Sequence, residues 1–279
     1  MPPANISEAI VEAGDRLTAT ERRVAEAIVA EPTLLAFGTV SALADHVGTS
    51  RPSIVRFAIK LGFAGYQALQ DAARVGLSQR LSTPRDRVRA DQATGVSDLR
   101  SLTESLAPLM PIVESGVLIE LAPRIARAEA VWIATGETSK ASAHALHSGL
   151  GSIRPGVHLI EEHSLSRELA DAGTRDIALI SDFSRYRRSA VVAAHALTAH
   201  SVPIIAITDG PLSPLAAFAD TLIELFVPAV GPFDSSVPSV ALAELIVAEV
   251  ARVDRAAVQA RIDRTEELWA ATSTFVSDQ

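Results

Sequence analysis

The segment Ser181-Asp182-Phe183-Ser184-Arg185-Tyr186-Arg187-Arg188-Ser189 sets three arginines within four positions, inside the most apolar part of an acidic chain. Guanidinium forks hold phosphates and carboxylates through paired, charge-assisted hydrogen bonds. Arg185, Arg187 and Arg188 are therefore candidate receptors for a small anion, with Ser139, Ser181 and Ser184 as hydroxyl donors and Lys140 nearby. Two other readings stay open. Arg185 pairing with Glu137, or Asp182 pairing with an arginine, would close the site. An arginine cluster on an ordinary loop is also often just solvated.

A second constellation lies at residues 50–60. Ser53, Arg56 and Lys60 recur at i, i+3 and i+7 on one helical face, with Ser50, Arg51 and Pro52 at the helix start. A face of hydroxyls and cations suits the major groove of double-stranded DNA. Its N-terminal residues meet base edges, and Arg or Lys meets phosphate. Arg22 and Arg23, on an earlier helix, are further backbone-contact candidates. The alternative is a helical bundle with a solvated basic face.

Acid–base catalysis is a third chemistry to which these residue types lend themselves. Aldose–ketose isomerisation needs a positioned base and acid. Glu137, Glu161, Glu162 and His163 are available, as are His144, His147, His158, His195 and His200. His144 and His147 share a helix face at i, i+3, but no carboxylate spacing completes a metal signature. No catalytic residue, metal or cofactor is expected.

Two textures must position these groups. Residues 17–78 read as short helices. "TATERRVAEAIVAEP" opens with a capping signature, Thr18 with Glu21 or Thr20 directly before it, and Pro32 stops the helix. "SALADHVG" follows, with Ser41 as the expected N-cap and Gly48 at its end. Ser50 is expected to cap the next helix, whose buried stripe is Ile54, Phe57, Ala58 and Leu61. Residues 80–98 are polar and read as a linker, and helical material covers 97–128. From 130, apolar runs at 131–135, 157–161, 176–181, 203–208 and 221–227 alternate with amphipathic segments at 139–150, 164–172, 188–200 and 213–219. That alternation predicts a doubly wound parallel sheet, with ligands beyond the carboxyl ends of its strands. A helix over 237–255 and a polar helix to about 272 close the pattern.

Composition bounds the rest. The 279 residues favour two domains, and 48% hydrophobic content supplies ample core. There is no cysteine, which excludes disulfides and thiolate chemistry. The first residues lack a secretory pattern, and no apolar run is long enough to span a bilayer, so a cytoplasmic location is expected. Net charge is −8, but it is uneven. Residues 1–80 balance eight Lys/Arg against eight Asp/Glu, while 101–279 carry net −9. The N-terminal part can thus still present a basic face.

"LTATERRVAEAIVAEP…VSALADHVGTSRPSIVRFAIKLGFAGYQALQ" resembles the helix-turn-helix domain of RpiR-type bacterial transcriptional regulators over residues 17–77. Residues 118–250 are similar to a SIS (sugar isomerase) domain, most clearly at "VPIIAITDGPLSPLAAFADTLIELFVP" (202–228). The resemblance implies a dimeric repressor or activator responding to a sugar-phosphate-like metabolite. The loops depart from the SIS pattern. Thr135-Gly136-Glu137-Thr138-Ser139 stands for Gly-x-Gly-x-Ser, with Glu137 at the second glycine. Ser181-Asp182-Phe183-Ser184-Arg185-Tyr186 stands for Ser-x-Ser-Gly-x-Thr and keeps only its first serine.

The expected fold is therefore α/β, an all-α helix-turn-helix domain (1–79), a linker (80–100) and a doubly wound SIS-like domain (101–279). The expected function is sequence-specific transcriptional regulation on operator DNA, sensing a small anionic metabolite such as a sugar phosphate or sugar acid, as a homodimer or homotetramer away from membranes. Two alternatives stand: a sugar-phosphate isomerase, or a regulator whose SIS-like domain only mediates assembly.

Overall fold

The computed structural model describes residues 6–30, 32–81, 83–90, 94–211 and 213–275. The chain divides into two compact units, residues 1–86 and 87–279.

The first unit is helical: α1 (Ile6–Ala13), α2 (Ala19–Ala30), α3 (Pro32–Phe37), α4 (Val40–Val47), α5 (Arg51–Lys60) and α6 (Tyr66–Leu81). Its core gathers Val24, Ile28, Leu35, Leu43, Ile54, Phe57, Ala58, Leu61 and Leu69. Each large apolar side chain buried there contributes about 1.5–3 kcal/mol relative to exposure. The stripe predicted on α5 is thus the buried one. α2 ends at Ala30 and α3 opens on Pro32, where a missing amide hydrogen costs nothing.

Two caps differ from expectation. Thr39, not Ser41, caps α4: its Oγ1 accepts from the Ala42 amide at 3.1 Å, so the helix starts two residues earlier. Ser50 sits at the N-cap of α5 with extended backbone, but its side chain caps nothing. Its Oγ lies 2.9 Å from Ser53 Oγ instead. Pro52 in the first turn removes a donor that a cap would serve.

The second unit begins with α7 (Pro84–Ala90), α8 (Gly95–Glu104), α9 (Leu109–Glu114) and α10 (Val117–Arg127). α7 opens just before the unit, and α7 and the first part of α8 fall within the polar 80–100 stretch, of which residues 82 and 91–93 lie outside the described residues. Then come β1 (Val131–Thr135), α11 (Lys140–Ile153), β2 (Val157–Leu159), α12 (Leu165–Glu168), β3 (Ile177–Ser181), α13 (Arg188–Ala199), β4 (Ile204–Thr208) and β5 (Thr221–Glu224). A small hairpin, β6 (Ala229–Val230) and β7 (Phe233–Asp234), precedes α14 (Val237–Val253) and α15 (Arg255–Ala271).

The sheet is parallel, in the order β2-β1-β3-β4-β5. Both faces are covered, which explains the unbroken apolar strands. Val131, Ile133, Leu179, Ile205 and Ile223 pack on the side of α10, α11 and α14. Trp132, Ala134, Ala178, Ile180 and Ala206 pack on the side of α13. The predicted helix at 213–219 is only a 3-10 turn, Ala216–Phe218. Ser213 Oγ is engaged by Thr208 Oγ1 at 2.8 Å and by the Leu215 amide at 3.2 Å, local bonds that compete with a helix. Arg154 is buried after α11 and donates to the carbonyls of Ala128 and Glu129, and also Ile125, satisfying the end of α10.

No single helix among the described residues is long and apolar enough to cross a membrane.

Candidate functional site

Two places bring chemistry-bearing residues together, one in each unit.

In the first unit, Gly48 ends α4 with φ +67, a left-handed turn that suits glycine. The chain then enters α5 after two residues. With Ile54, Phe57 and Ala58 buried, the outward positions fall to Arg51, Pro52, Arg56, Ile59 and Lys60, all exposed. Ser53 is half-buried, and its Oγ accepts from Arg56 at 3.2 Å. Arg22 and Arg23 are exposed on α2. Lys60 has a partner that sequence reading did not foresee. Its Nζ lies 2.7 Å from Glu21 Oε2. The same carboxylate accepts from the Thr18 amide (2.7 Å) and hydroxyl (2.9 Å), while Thr18 Oγ1 accepts from the Glu21 amide (3.3 Å). The capping box at the head of α2 is thereby joined to the end of α5. Burial alone would raise the Glu21 pKa, but the bonds from Lys60 and Thr18 outweigh it and hold the carboxyl below its ordinary range.

In the second unit, α11 leaves β1 on one side of the sheet and α13 leaves β3 on the other. The two loops diverge where the strand order reverses, the position at which such sheets bind ligands. Thr135 and Ser181 stand opposite each other in register, and the Gly136 amide donates to the Ser181 carbonyl at 3.1 Å.

Asp182 dominates this point. It is only 1% exposed. Its carboxylate accepts from the backbone amides of Phe183 (3.0 Å) and Arg187 (2.6 Å), at the head of α13. It also packs against Gly136, where a Cβ would lie 2.0–2.4 Å from the carboxylate atoms. Burial pushes its pKa up to about 6, against the pull of those amides and the Arg187 charge, and nearby Asp209 adds repulsion. Phe183 anchors the loop in the core beneath α11 and α14. Arg185 holds a positive φ of 70, which strains a residue with a Cβ.

The predicted site residues are distributed unevenly. Ser139 and Ser181 are buried, and Ser184 is half-buried. Arg185, Arg187 and Arg188 are exposed. Glu137 does not pair with Arg185. It meets Lys140 at 3.1 Å and Arg187 at 4.0 Å. Both contacts are solvent-exposed and individually weak. Asp182 meets the main chain of Arg187 rather than a guanidinium. The hydroxyls of Thr138 and Ser139 are buried with no hydrogen-bond partner among the described residues.

Sequence reasoning missed a second contact. The Tyr186 hydroxyl donates to Asp209 Oδ1, tying the arginine loop to the end of β4. Burial and the Asp209 carboxylate raise the Tyr186 pKa. The pair is 23 residues apart, so no local pattern announces it. Of the acid–base candidates, Glu161, Glu162 and His163 are exposed after β2, and His144 is exposed on α11. A surface depression lined by Thr198, Ser201, Pro203 and Asp220 lies at the opposite end of β4, away from these groups. Asp220 is engaged there by the Ile204 amide at 2.8 Å.

A turn-linked helix pair with an exposed basic face, in one chain with a doubly wound sheet, defines a two-domain DNA-binding regulator. Comparison with known proteins supplies the family. The helix-turn-helix domain of the rpiR family matches residues 4–84, and the SIS domain matches residues 125–249. The chain is thus a transcriptional regulator of the RpiR type. It is similar to NanR of Vibrio vulnificus, solved in complex with ManNAc-6P, at 19% identity and a TM-score of 0.57, over 96% of this chain and 99% of that one. It is also similar to the sugar isomerase domain of an RpiR transcription factor from Sphaerobacter thermophilus, at 25% identity and a TM-score of 0.53, over 62% of this chain and 95% of that one. No curated protein matches the sequence significantly.

Proposed function

We propose that this regulator is cytoplasmic, acts as a homodimer or homotetramer on double-stranded operator DNA, and senses a small anionic metabolite rather than transforming one. Ser50, Arg51, Pro52 and Ser53 would face base edges, and Arg56 and Lys60 the phosphates. The observation that carries this part is the exposed basic edge of α5 directly after the Gly48 turn. An N-terminal helix edge of this kind fits the major groove.

For the second unit, the switch point between β1 and β3 is the proposed effector site. Three exposed guanidiniums at its rim attract an anion, and Ser139, Ser181 and Ser184 add hydroxyls. The relative solved with ManNAc-6P supports a sugar-derived metabolite. Effector binding would act through differential affinity for two arrangements of the paired DNA readers. In a gel-shift or footprint with the purified protein, a sequence preference that persists at moderate salt is expected. Binding without preference would refute the reading.

The competing reading, an isomerase, has one observation in its favour. Asp182 is a buried carboxyl with a raised pKa at a ligand-binding position, which suits acid–base work. Turnover of phosphosugars by the purified protein, abolished by Asp182→Asn, would establish that reading instead.

A further inference from the structure

The loop after β3 leads into a twelve-residue helix, α13, at the point where the sheet order reverses. Main-chain amides at such a place form a ready cradle for a ligand's anion, because their hydrogens converge and the helix dipole favours negative charge. Here the cradle is already served. Asp182 Oδ1 takes the Phe183 amide at 3.0 Å, and Oδ2 takes the Arg187 amide at 2.6 Å. The carboxylate is also wedged against Gly136 of the facing loop, which leaves no room even for a methyl group between them.

We propose that Asp182 is a specificity-determining residue: its carboxylate is a built-in anion in this amide cradle and excludes a ligand's phosphate from it. A second phosphate-sized anion would meet like charge from Asp182 at contact distance and from Asp209 beyond it. Like charges brought together at a binding surface disfavour binding and suppress the wrong ligand. The interior of the crevice instead suits hydroxyl groups. The hydroxyls of Thr138 and Ser139, without a hydrogen-bond partner among the described residues, can give bonds to such groups or take them. An anionic group on the effector is left to the exposed guanidiniums of Arg185, Arg187 and Arg188. The effector class is therefore a hydroxyl-rich sugar derivative whose charge is held at the rim. The inference rests on reading this crevice as the effector site.

The test compares full-length wild type with Asp182→Ser by calorimetric titration at pH 8. The probes are inorganic phosphate, a hexose 6-phosphate and the matching uncharged hexose. Asp182→Ser is expected to bind inorganic phosphate at least about tenfold more tightly than wild type, once the like charge is gone. Asp182→Asn keeps the shape and removes the charge, so it guards against a folding defect in the serine variant. It too should bind phosphate more tightly than wild type. Phosphate bound equally by wild type and variants, or by none of them, overturns the proposal. Operator binding is measured on the same samples. Its absence in wild type would strike the regulator reading and leave the phosphate comparison to be judged by itself.

Discussion

Lys60, at the last turn of α5, donates to Glu21 of α2 at 2.7 Å, and the same carboxylate closes the capping box with Thr18. One side chain therefore fixes both the start of α2 and the far end of the proposed reading helix. Lys60→Ala should lower stability by about 0.5–1 kcal/mol, typical of a partly exposed pair with a capping role. Glu21→Gln should reproduce that loss in thermal unfolding. Only Lys60→Ala should also flatten the salt dependence of DNA binding, because only it removes a cation. Equal salt slopes for wild type and Lys60→Ala would make Lys60 a purely internal strut.

Arg51 opens α5 and is exposed, with no internal partner among the described residues. Arg51→Ala should cost about 1–3 kcal/mol on the preferred operator and far less on unrelated DNA, which relaxes specificity. Arg56→Ala should weaken all sequences alike. Competition gel-shifts with specific and random duplexes separate the two outcomes.

The two perturbed carboxyls pull stability in opposite directions with pH. Asp182 has a folded pKa of about 6, above its ordinary 3.8, so its ionisation opposes folding. Its contribution is fully present below pH 3.8 and is lost as pH rises through 6. Glu21 is held below its ordinary 4.5, so its contribution is present above 4.5 and is lost as pH falls through the folded value. Denaturation of Asp182→Asn from pH 4 to 8 should lose the decline between 4 and 6 attributable to this group. An unchanged profile would contradict the assignment.

Gly136→Ala should destabilise the protein by about 1–3 kcal/mol, because its Cβ collides with the Asp182 carboxylate. Combining it with Asp182→Ser should recover part of that loss. A double-mutant cycle by urea denaturation measures this coupling, and strict additivity would show that the two loops do not press on each other.

The α/β architecture was legible because it is written in local patterns. Strands β1, β3 and β4 lie where apolar runs announced them, and their burial on both faces matches the absence of alternation. The α5 stripe followed from helical spacing. Cap assignments were less secure, since Thr39 and Ser41 are chemically equivalent candidates two residues apart. The 213–219 segment misled because a serine bonding its own neighbours looks, in sequence, like a helix start.

The sequence by itself determined which residues are apolar, at what period they recur, and that three arginines follow β3. It could not determine what those arginines face. Asp182 settles on the amides of the arginine loop and against Gly136, 46 positions away, and Tyr186 reaches Asp209 across 23. Lys60 finds Glu21 across 39. Such pairs depend on which strand ends the sheet order brings together and which helix ends the core packing brings together. A carboxylate, an amide and a guanidinium read the same in sequence whether paired or free. Only tertiary packing, by burying one carboxylate and leaving three guanidiniums in water, decides which of them a ligand can reach.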